Sequence, residues 1–214
     1  MLFRSTLLSA ANNFGSLAIN GANVSLFESD NTLLTGATAN RLTFESAGDI
    51  VASGTLTIAG DTNLKAADGA ADITAEDAAN TFGNLILDGS VVTVTESGDM
   101  VLAEVGAGSV LNLTSTGTLT DIAGSVVAAG VANLAASDIT LGDTEDDTVQ
   151  FSTLNMSAGQ IDITETGSMR LGQVSADTLN LVTRGGDITE TSDAVVTVST
   201  STSLDSGVNN IALA

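Results

Sequence analysis

The chain has 214 residues, and its 26 acidic and five basic side chains give it a net charge of −21. Proline, cysteine, histidine, tryptophan and tyrosine are absent, which excludes histidine- or cysteine-based catalysis, thiolate metal sites and a disulfide framework. The negative charge argues against nucleic acid and anionic membrane surfaces as partners, and the 43% hydrophobic content argues against disorder.

The two ends of the chain do not fit the pattern between them. Residues 1–5 lie outside the repeat described below, and we interpret them as a non-native leader. The chain stops in mid-repeat at residue 214, so we expect the single domain, residues 6–214, to be truncated at both ends. No apolar run is long enough for a membrane-spanning helix or a signal peptide, so we predict no membrane insertion.

A long internal repeat begins near residues 11, 79 and 148. An Asn-x-Phe-Gly element around Phe14 returns around Phe82 and, weakened, around Phe151, at spacings of 68 and 69 residues. Such a period is typical of an array in which units stack and no unit folds alone. Each phenylalanine is followed after 14 residues by an acid and after 20 residues by a leucine: Glu28 and Leu34, Glu96 and Leu102, Glu165 and Leu171.

Short apolar–x–apolar triplets follow one another along each repeat. The two apolar side chains of such a triplet point to the same face of a β-strand. Helical spacing nowhere persists, so the sequence predicts an all-β fold. The main triplets, in chain order, are 17–19, 24–26, 42–44, 56–58, 85–87, 92–94, 111–113, 139–141, 154–156, 161–163, 179–181, 196–198 and 211–213.

The strand spacing alone fits either a sandwich of antiparallel strands or a parallel solenoid. The long period favours the solenoid, because a sandwich has no reason to repeat itself. Three short strands per coil of about 22 to 23 residues predict about nine coils, and a rod of roughly 45 Å at about 4.8 Å per coil. Each long repeat would then be three coils.

The recurrent side chains have structural interpretations. Equivalent residues would lie about 14 Å apart along the rod, so the three recurrent glutamates would not form a metal-binding ladder. The three phenylalanines would each pack against aliphatic residues at a corner. We expect the acids in general to lie on the solvent side of turns, where they keep the array soluble.

We predict no catalytic, cofactor-binding or metal-binding residues. Carboxylate pairs alone could serve a glycosidase, but aromatic platforms are absent, and the bases Arg4, Arg41, Lys65, Arg170 and Arg184 are scattered. The acidic segment 143–147 is the best candidate for calcium, although it lacks the Gly-Gly-x-Gly-x-Asp spacing of calcium-binding repeats. Threonines at 55, 57, 197 and 200 suggest an ice-binding face, but they do not recur in one register.

Residues 10–26 and 78–85, with the Gly-Asp-Ile segments at 48–50 and 186–188, resemble the repeats of filamentous haemagglutinin-like adhesins. The third repeat departs from this pattern at Gln150 and Ser152. The resemblance implies a right-handed parallel β-helix in a protein that is secreted or displayed on the surface of a Gram-negative-type bacterium. It also implies two-partner secretion, in which an outer-membrane pore recognises an N-terminal domain that lies outside this stretch.

We therefore expect a non-enzymatic shaft segment of an adhesin that extends or mediates cell-surface contact. Its full-length protein would meet host or neighbouring-cell glycans or proteins through other parts. The alternatives are an independent solenoid module that binds glycan or ice and, less favoured, a polysaccharide-degrading enzyme.

Overall fold

The computed structural model describes residues 4–9 and 11–213, with side chains from residue 6 onward. These ranges hold sixteen β-strands in one sheet, a single 3-10 turn at Ala67–Gly69 and no α-helix. The strands are β1 (Arg4–Leu7), β2 (Leu17–Glu28), β3 (Thr32–Ser46), β4 (Ile50–Ala52), β5 (Leu56–Ile58), β6 (Thr62–Ala66), β7 (Ile73–Ala75), β8 (Asn84–Glu96), β9 (Met100–Ser115), β10 (Leu119–Ala135), β11 (Asp138–Leu141), β12 (Thr148–Ser157), β13 (Gln160–Glu165), β14 (Met169–Thr183), β15 (Ile188–Asp205) and β16 (Ile211–Ala212).

Every pairing between these strands is parallel. Each segment lies beside the segment one lap further along the chain, as in Leu87 beside Val105. This arrangement is a parallel β-solenoid, and the antiparallel sandwich is excluded. The first strand, β1, pairs with 23–26 and includes residues 4 and 5 of the predicted leader, whereas residues 1–3 lie outside the described ranges.

The predicted number of coils was wrong. The solenoid has about eleven turns rather than nine, because strand partners on adjacent laps range from 17 to 23 residues apart and many, such as Leu17 and Leu34, are closer than the predicted lap of about 22 to 23 residues. Several corners are turned inside a continuous strand by a register shift, for example between Gly89 and Val91, instead of by a loop of about four residues. At about 4.8 Å per lap the rod is about 50 Å long.

The long repeat is not a whole number of laps. From Ile19, successive laps pass Ala37 and Leu56 and then the turn near residue 80, so the repeat-equivalent residue, Leu87, lies about two-fifths of a lap further on. Leu87 belongs instead to the column that runs back through Leu64. A repeat therefore spans about three and two-fifths laps, and equivalent residues of consecutive repeats lie in different columns of the rod. The expected separation of three coils on one side was wrong.

The core is a column of aliphatic side chains inside the laps. Most of the predicted triplets alternate buried and outward residues, as in β5 and β11, and the recurrent Leu34, Leu102 and Leu171 are fully buried. The predicted triplets near the C-terminal end differ, because the apolar residues of 196–198 are only half-buried and those of 211–213 are exposed. Each lap shields the next, so the apolar surface removed from water grows with every turn. One continuous hydrophobic cluster runs from Ile19 to Ile188.

Many acids at the turns have a second role besides solubility. The side-chain oxygen of Asp49 accepts a hydrogen bond from the backbone N–H of Asp72 on the next lap, at 3.0 Å. Asp72 in turn accepts from Val91 N–H at 3.0 Å. The same contact recurs at Asp99, Asp138 and Asp187. These side chains satisfy backbone donors that the parallel ladder leaves free where it bends.

Candidate functional site

The recurrent element of the sequence folds into a corner that is closed by buried hydrogen bonds. In the second repeat, the backbone N–H of Phe82 donates to Oε1 of Glu96 at 2.6 Å. Asn80 is fully buried, and its amide nitrogen donates to the carbonyl oxygens of Ala75 and Thr95, at 3.1 and 3.2 Å. Its Oδ1 accepts from Leu56 N–H at 2.8 Å. The 14-residue spacing of phenylalanine and acid is therefore a hydrogen bond across one lap.

The first repeat builds the same corner, and the third builds it only in part. Phe14 N–H donates to Glu28 Oε1 at 2.6 Å, and the amide nitrogen of Asn12 donates to Phe27 O at 3.1 Å. In the third repeat Val149 stands where the others have asparagine, so the amide bonds are lost, and neither carboxyl oxygen of Glu165 has a hydrogen-bond partner.

All three recurrent glutamates are buried, which was not expected of acids placed at turns. Glu28 and Glu165 have no exposed surface, and Glu96 is 2% exposed. Phe82 and Phe151 are buried in the same region, as the predicted corner packing requires, while Phe14 is half-buried. The fixed spacing from phenylalanine to acid was the sequence signal for this site.

The acidic segment 143–147 forms a loop against the start of β10. Carboxylate oxygens of Asp121, Asp143 and Asp147 lie within 4.8 Å of one another. Protein donors already occupy two of these groups. Asp147 Oδ1 accepts from Gly124 N–H at 2.7 Å, and both oxygens of Asp121 accept from Gly142 N–H, at 3.2 and 3.1 Å.

The electrostatics of this loop follow from those donors. Burial acts to raise the pKa of Asp147, but hydrogen bonds from Thr144, Gly124 and Ser125 outweigh it and hold the pKa below its ordinary value. Burial raises the pKa of Asp121, and the bond from Ser125 only partly opposes it. Asp147 is thus the carboxylate that the loop stabilises as an anion, although it is only 2% exposed.

Arg184 places a positive charge in the same loop from two laps away. Its guanidinium donates to four backbone carbonyl oxygens: Nη1 to Glu145 and Asp147, at 3.2 and 3.1 Å, and Nη2 to Gly142, at 3.0 Å, and to Thr144. Carbonyl oxygens converging in this way are the ligands that Ca²⁺ uses in proteins. Here the Arg184 guanidinium lies at the centre of the four carbonyl oxygens, where a calcium ion would bind.

A shallow trough of about 440 Å³ follows one corner of the rod across several laps. Glycine and alanine line most of it, with Asp88, Gln150 and Ser152 as its polar side chains. No aromatic or basic side chain lines this trough, so it lacks a stacking platform for a sugar ring and a cation for an acidic sugar.

A family model of repeats of unknown function, DUF5649, matches residues 21–87, 89–155 and 158–214, which is most of the chain. The chain belongs to the DUF5649 repeat family. Each DUF5649 segment begins ten residues after a repeat start predicted near 11, 79 or 148, so both descriptions share one period. No curated protein and no solved structure is similar enough to this chain to match it.

In this chain, the recurrent polar residues of the DUF5649 repeats thus form hydrogen bonds within the corner of their own repeat. Across the described ranges, the bases other than Arg184 include two that pair with nearby acids at the surface: Arg41 with Asp61, and Lys65 with Asp68 at 2.8 Å. In those same ranges, no helix of these DUF5649 repeats has the length and hydropathy needed to cross a membrane.

Proposed function

We propose that this chain is a non-catalytic shaft segment of a secreted or surface-displayed bacterial adhesin, wound as a right-handed parallel β-helix. The segment extends the binding parts of the full-length protein away from the cell. Contact with host or neighbouring-cell glycans or proteins then falls to regions outside this stretch. The resemblance to filamentous haemagglutinin-like repeats supports both this role and export through a partner pore.

The observation that carries the proposal is the inward use of the recurrent residues. The side chains of Glu96 and Asn80 bond to backbone groups of their own and adjacent laps, and the Glu96 carboxyl accepts from the backbone N–H of the recurrent Phe82. A repeat selected for ligand binding would be expected to repeat an outward side chain. A repeat selected for length needs only a corner that stacks, so the pattern fits a spacer.

The offset of a partial lap between repeats adds to this interpretation. Because equivalent residues of consecutive repeats lie in different columns, the rod has no face that all three repeats share. A spacer tolerates this arrangement, whereas a lattice-matching surface requires every lap to contribute to one plane. In one column of the rod, Thr57 lies between Thr38 and Thr81 on adjacent laps. In another column, however, Thr93 is followed by Asn112 on the next lap. Threonine therefore does not continue from lap to lap on every column, which disfavours an ice-binding face.

Sequencing the gene on both sides of this region tests the proposal. We expect a two-partner secretion domain upstream and further coils downstream. A short gene that encodes a complete, capped protein would overturn the shaft assignment and favour an independent binding module. Measurements on the isolated chain complete the test: specific glycan binding or thermal hysteresis would favour that module, and cleavage of a polysaccharide would establish an enzyme.

A further inference from the structure

The three recurrent glutamates form a graded series of hydrogen bonding at one position of the repeat. Both oxygens of Glu28 have donors: Phe14 N–H at 2.6 Å and the Thr32 hydroxyl at 2.5 Å. Glu96 keeps only the Phe82 N–H, and its Oε2 has no partner. Glu165 has no partner for either oxygen, and all of these unpartnered oxygens are buried.

The residue four positions after each glutamate explains much of this series. Thr32 supplies a hydroxyl to Glu28, but Met100 and Met169 occupy the equivalent positions in the later repeats. A thioether cannot donate a hydrogen bond. The second oxygen of Glu96 and of Glu165 therefore lacks the donor that Thr32 gives Glu28 and stays buried without a partner, where an ionised carboxylate is strongly disfavoured.

The charged groups around these two carboxyls do not compensate for the burial. None of the ion pairs of the described residues involves Glu96 or Glu165. Asp99, and Asp77 one lap before, carry the same sign as Glu96.

Near Glu165, the lap before carries the acids Asp143, Glu145, Asp146 and Asp147, and the lap after carries Arg184. Arg184 binds the Glu165 carbonyl oxygen through its backbone N–H at 2.8 Å. Its guanidinium is bound to the carbonyl oxygens of the 142–147 loop, so this base also leaves the Glu165 carboxyl without a counter-charge.

We propose that Glu96 and Glu165 stay protonated in the folded solenoid well above the pH at which an exposed glutamate ionises, so that acid strengthens these two corners and alkali loosens them. A protonated carboxyl removes the buried charge and gains an O–H donor. The device belongs to the fold and does not depend on the shaft assignment.

The pKa values agree with this geometry. Burial raises the pKa of Glu96 to about 7, although the Phe82 N–H opposes the shift and Asp99 adds to it. Burial raises the pKa of Glu165 to about 8, and it is opposed only by the Phe151 N–H, which lies near the carboxyl without making a well-formed hydrogen bond to it. Both start from an ordinary value of 4.5.

The sign of the pH dependence follows from linkage. Between pH 4.5 and about 8 the folded state binds more protons at these sites than the unfolded state, so stability falls as pH rises through that window. Below that window both states are protonated at these two glutamates, so stability no longer changes with pH on their account. Inside it, each group changes the folded-to-unfolded ratio by up to about tenfold per pH unit.

The test compares urea unfolding midpoints of the full chain at about pH 5 and about pH 9. The double variant Glu96→Gln with Glu165→Gln should lose most of the wild-type pH dependence and unfold at higher urea than the wild type at the alkaline pH. The control is Glu76→Gln with Glu104→Gln, which removes the same charge from two exposed positions. The control should keep the wild-type pH dependence.

Equal pH dependence in the double variant and the control would overturn the proposal. Carboxyl-carbon NMR titration of the wild type keeps the test decisive if the buried glutamines themselves disturb the corner. The Glu96 and Glu165 resonances should titrate at least about two pH units above the ordinary range, and titration within that range would also overturn the proposal.

Discussion

Replacing Asn80 by valine tests whether the buried corner holds the laps together. Valine is the residue that the third repeat carries at this position, Val149. The change removes three hydrogen bonds, to Leu56 N–H and to the carbonyl oxygens of Ala75 and Thr95. Asn80 has no exposed surface, so water cannot replace them without opening the corner.

The magnitude follows from what is left unpaired. A buried polar group without a partner costs about 1–3 kcal/mol, and carbonyl oxygens with a second lone pair fall at the low end. Together the three groups give a loss on the order of 3–5 kcal/mol, a large part of the roughly 5–15 kcal/mol of a typical domain. Urea unfolding followed by circular dichroism measures this difference.

The same position in the first repeat supplies the matched control. Asn12 is half-buried, and its amide nitrogen makes two contacts, to Leu7 O at 3.3 Å and Phe27 O at 3.1 Å. Asn12→Val should therefore cost only about 1 kcal/mol. Equal losses in the two variants, or a loss below about 1 kcal/mol for Asn80→Val, would refute the claim that burial of this corner stabilises the rod.

Two further substitutions probe close packing and the Arg184 contact. Gly83→Ala would place its Cβ 2.6 Å from Gly60 O and 2.8 Å from Gly60 C, both backbone atoms, so we expect a loss of about 1–3 kcal/mol in thermal or urea unfolding. Gly15→Ala, the same position in the first repeat, meets nothing within 4 Å and should stay within about 0.5 kcal/mol of the wild type, and similar losses in both would contradict the packing. Arg184→Lys should speed proteolysis within 142–147 nearly as much as Arg184→Ala, because an ammonium cannot reproduce the planar fork that reaches four carbonyl oxygens; full protection by lysine would show that charge alone suffices. Calcium should neither release heat nor raise the melting temperature of the wild type, because the Arg184 guanidinium already binds the carbonyl oxygens of the loop. A calcium-dependent rise in melting temperature would show that the ion displaces the guanidinium.

The fold class could be predicted because the inward side chains repeat on a strict two-residue alternation. Leu111 and Leu113, for example, are buried on either side of the outward Asn112, as the triplet predicts. The parallel direction followed from the long period. The number of laps could not be predicted, because corners such as Gly89 to Val91 are turned by register shifts inside strands and leave no loop signature.

The candidate site was only partly visible in the sequence. The spacing of Phe82 and Glu96 marked the corner, but not the burial of the acid, because an isolated glutamate between polar residues is typical of a solvated turn. The hydrogen bonds of Arg184 to the 142–147 loop join residues 37 to 42 positions apart. Such a contact depends on the lap length, which the sequence did not reveal.

Cysteine cross-linking tests the winding of the chain most directly, because the chain has no cysteine of its own. Thr38 and Thr57 are exposed partners on adjacent parallel laps, and Thr57 is in turn the partner of Thr81. Adjacent laps lie about 4.8 Å apart, within the Cα separation that a disulfide accepts, whereas two laps span about 9.6 Å and exceed it. Cysteines at 38 and 57 should form an intramolecular disulfide readily, and cysteines at 38 and 81 should not. Cross-linking of 38 with 81 but not of 38 with 57 would contradict the parallel solenoid.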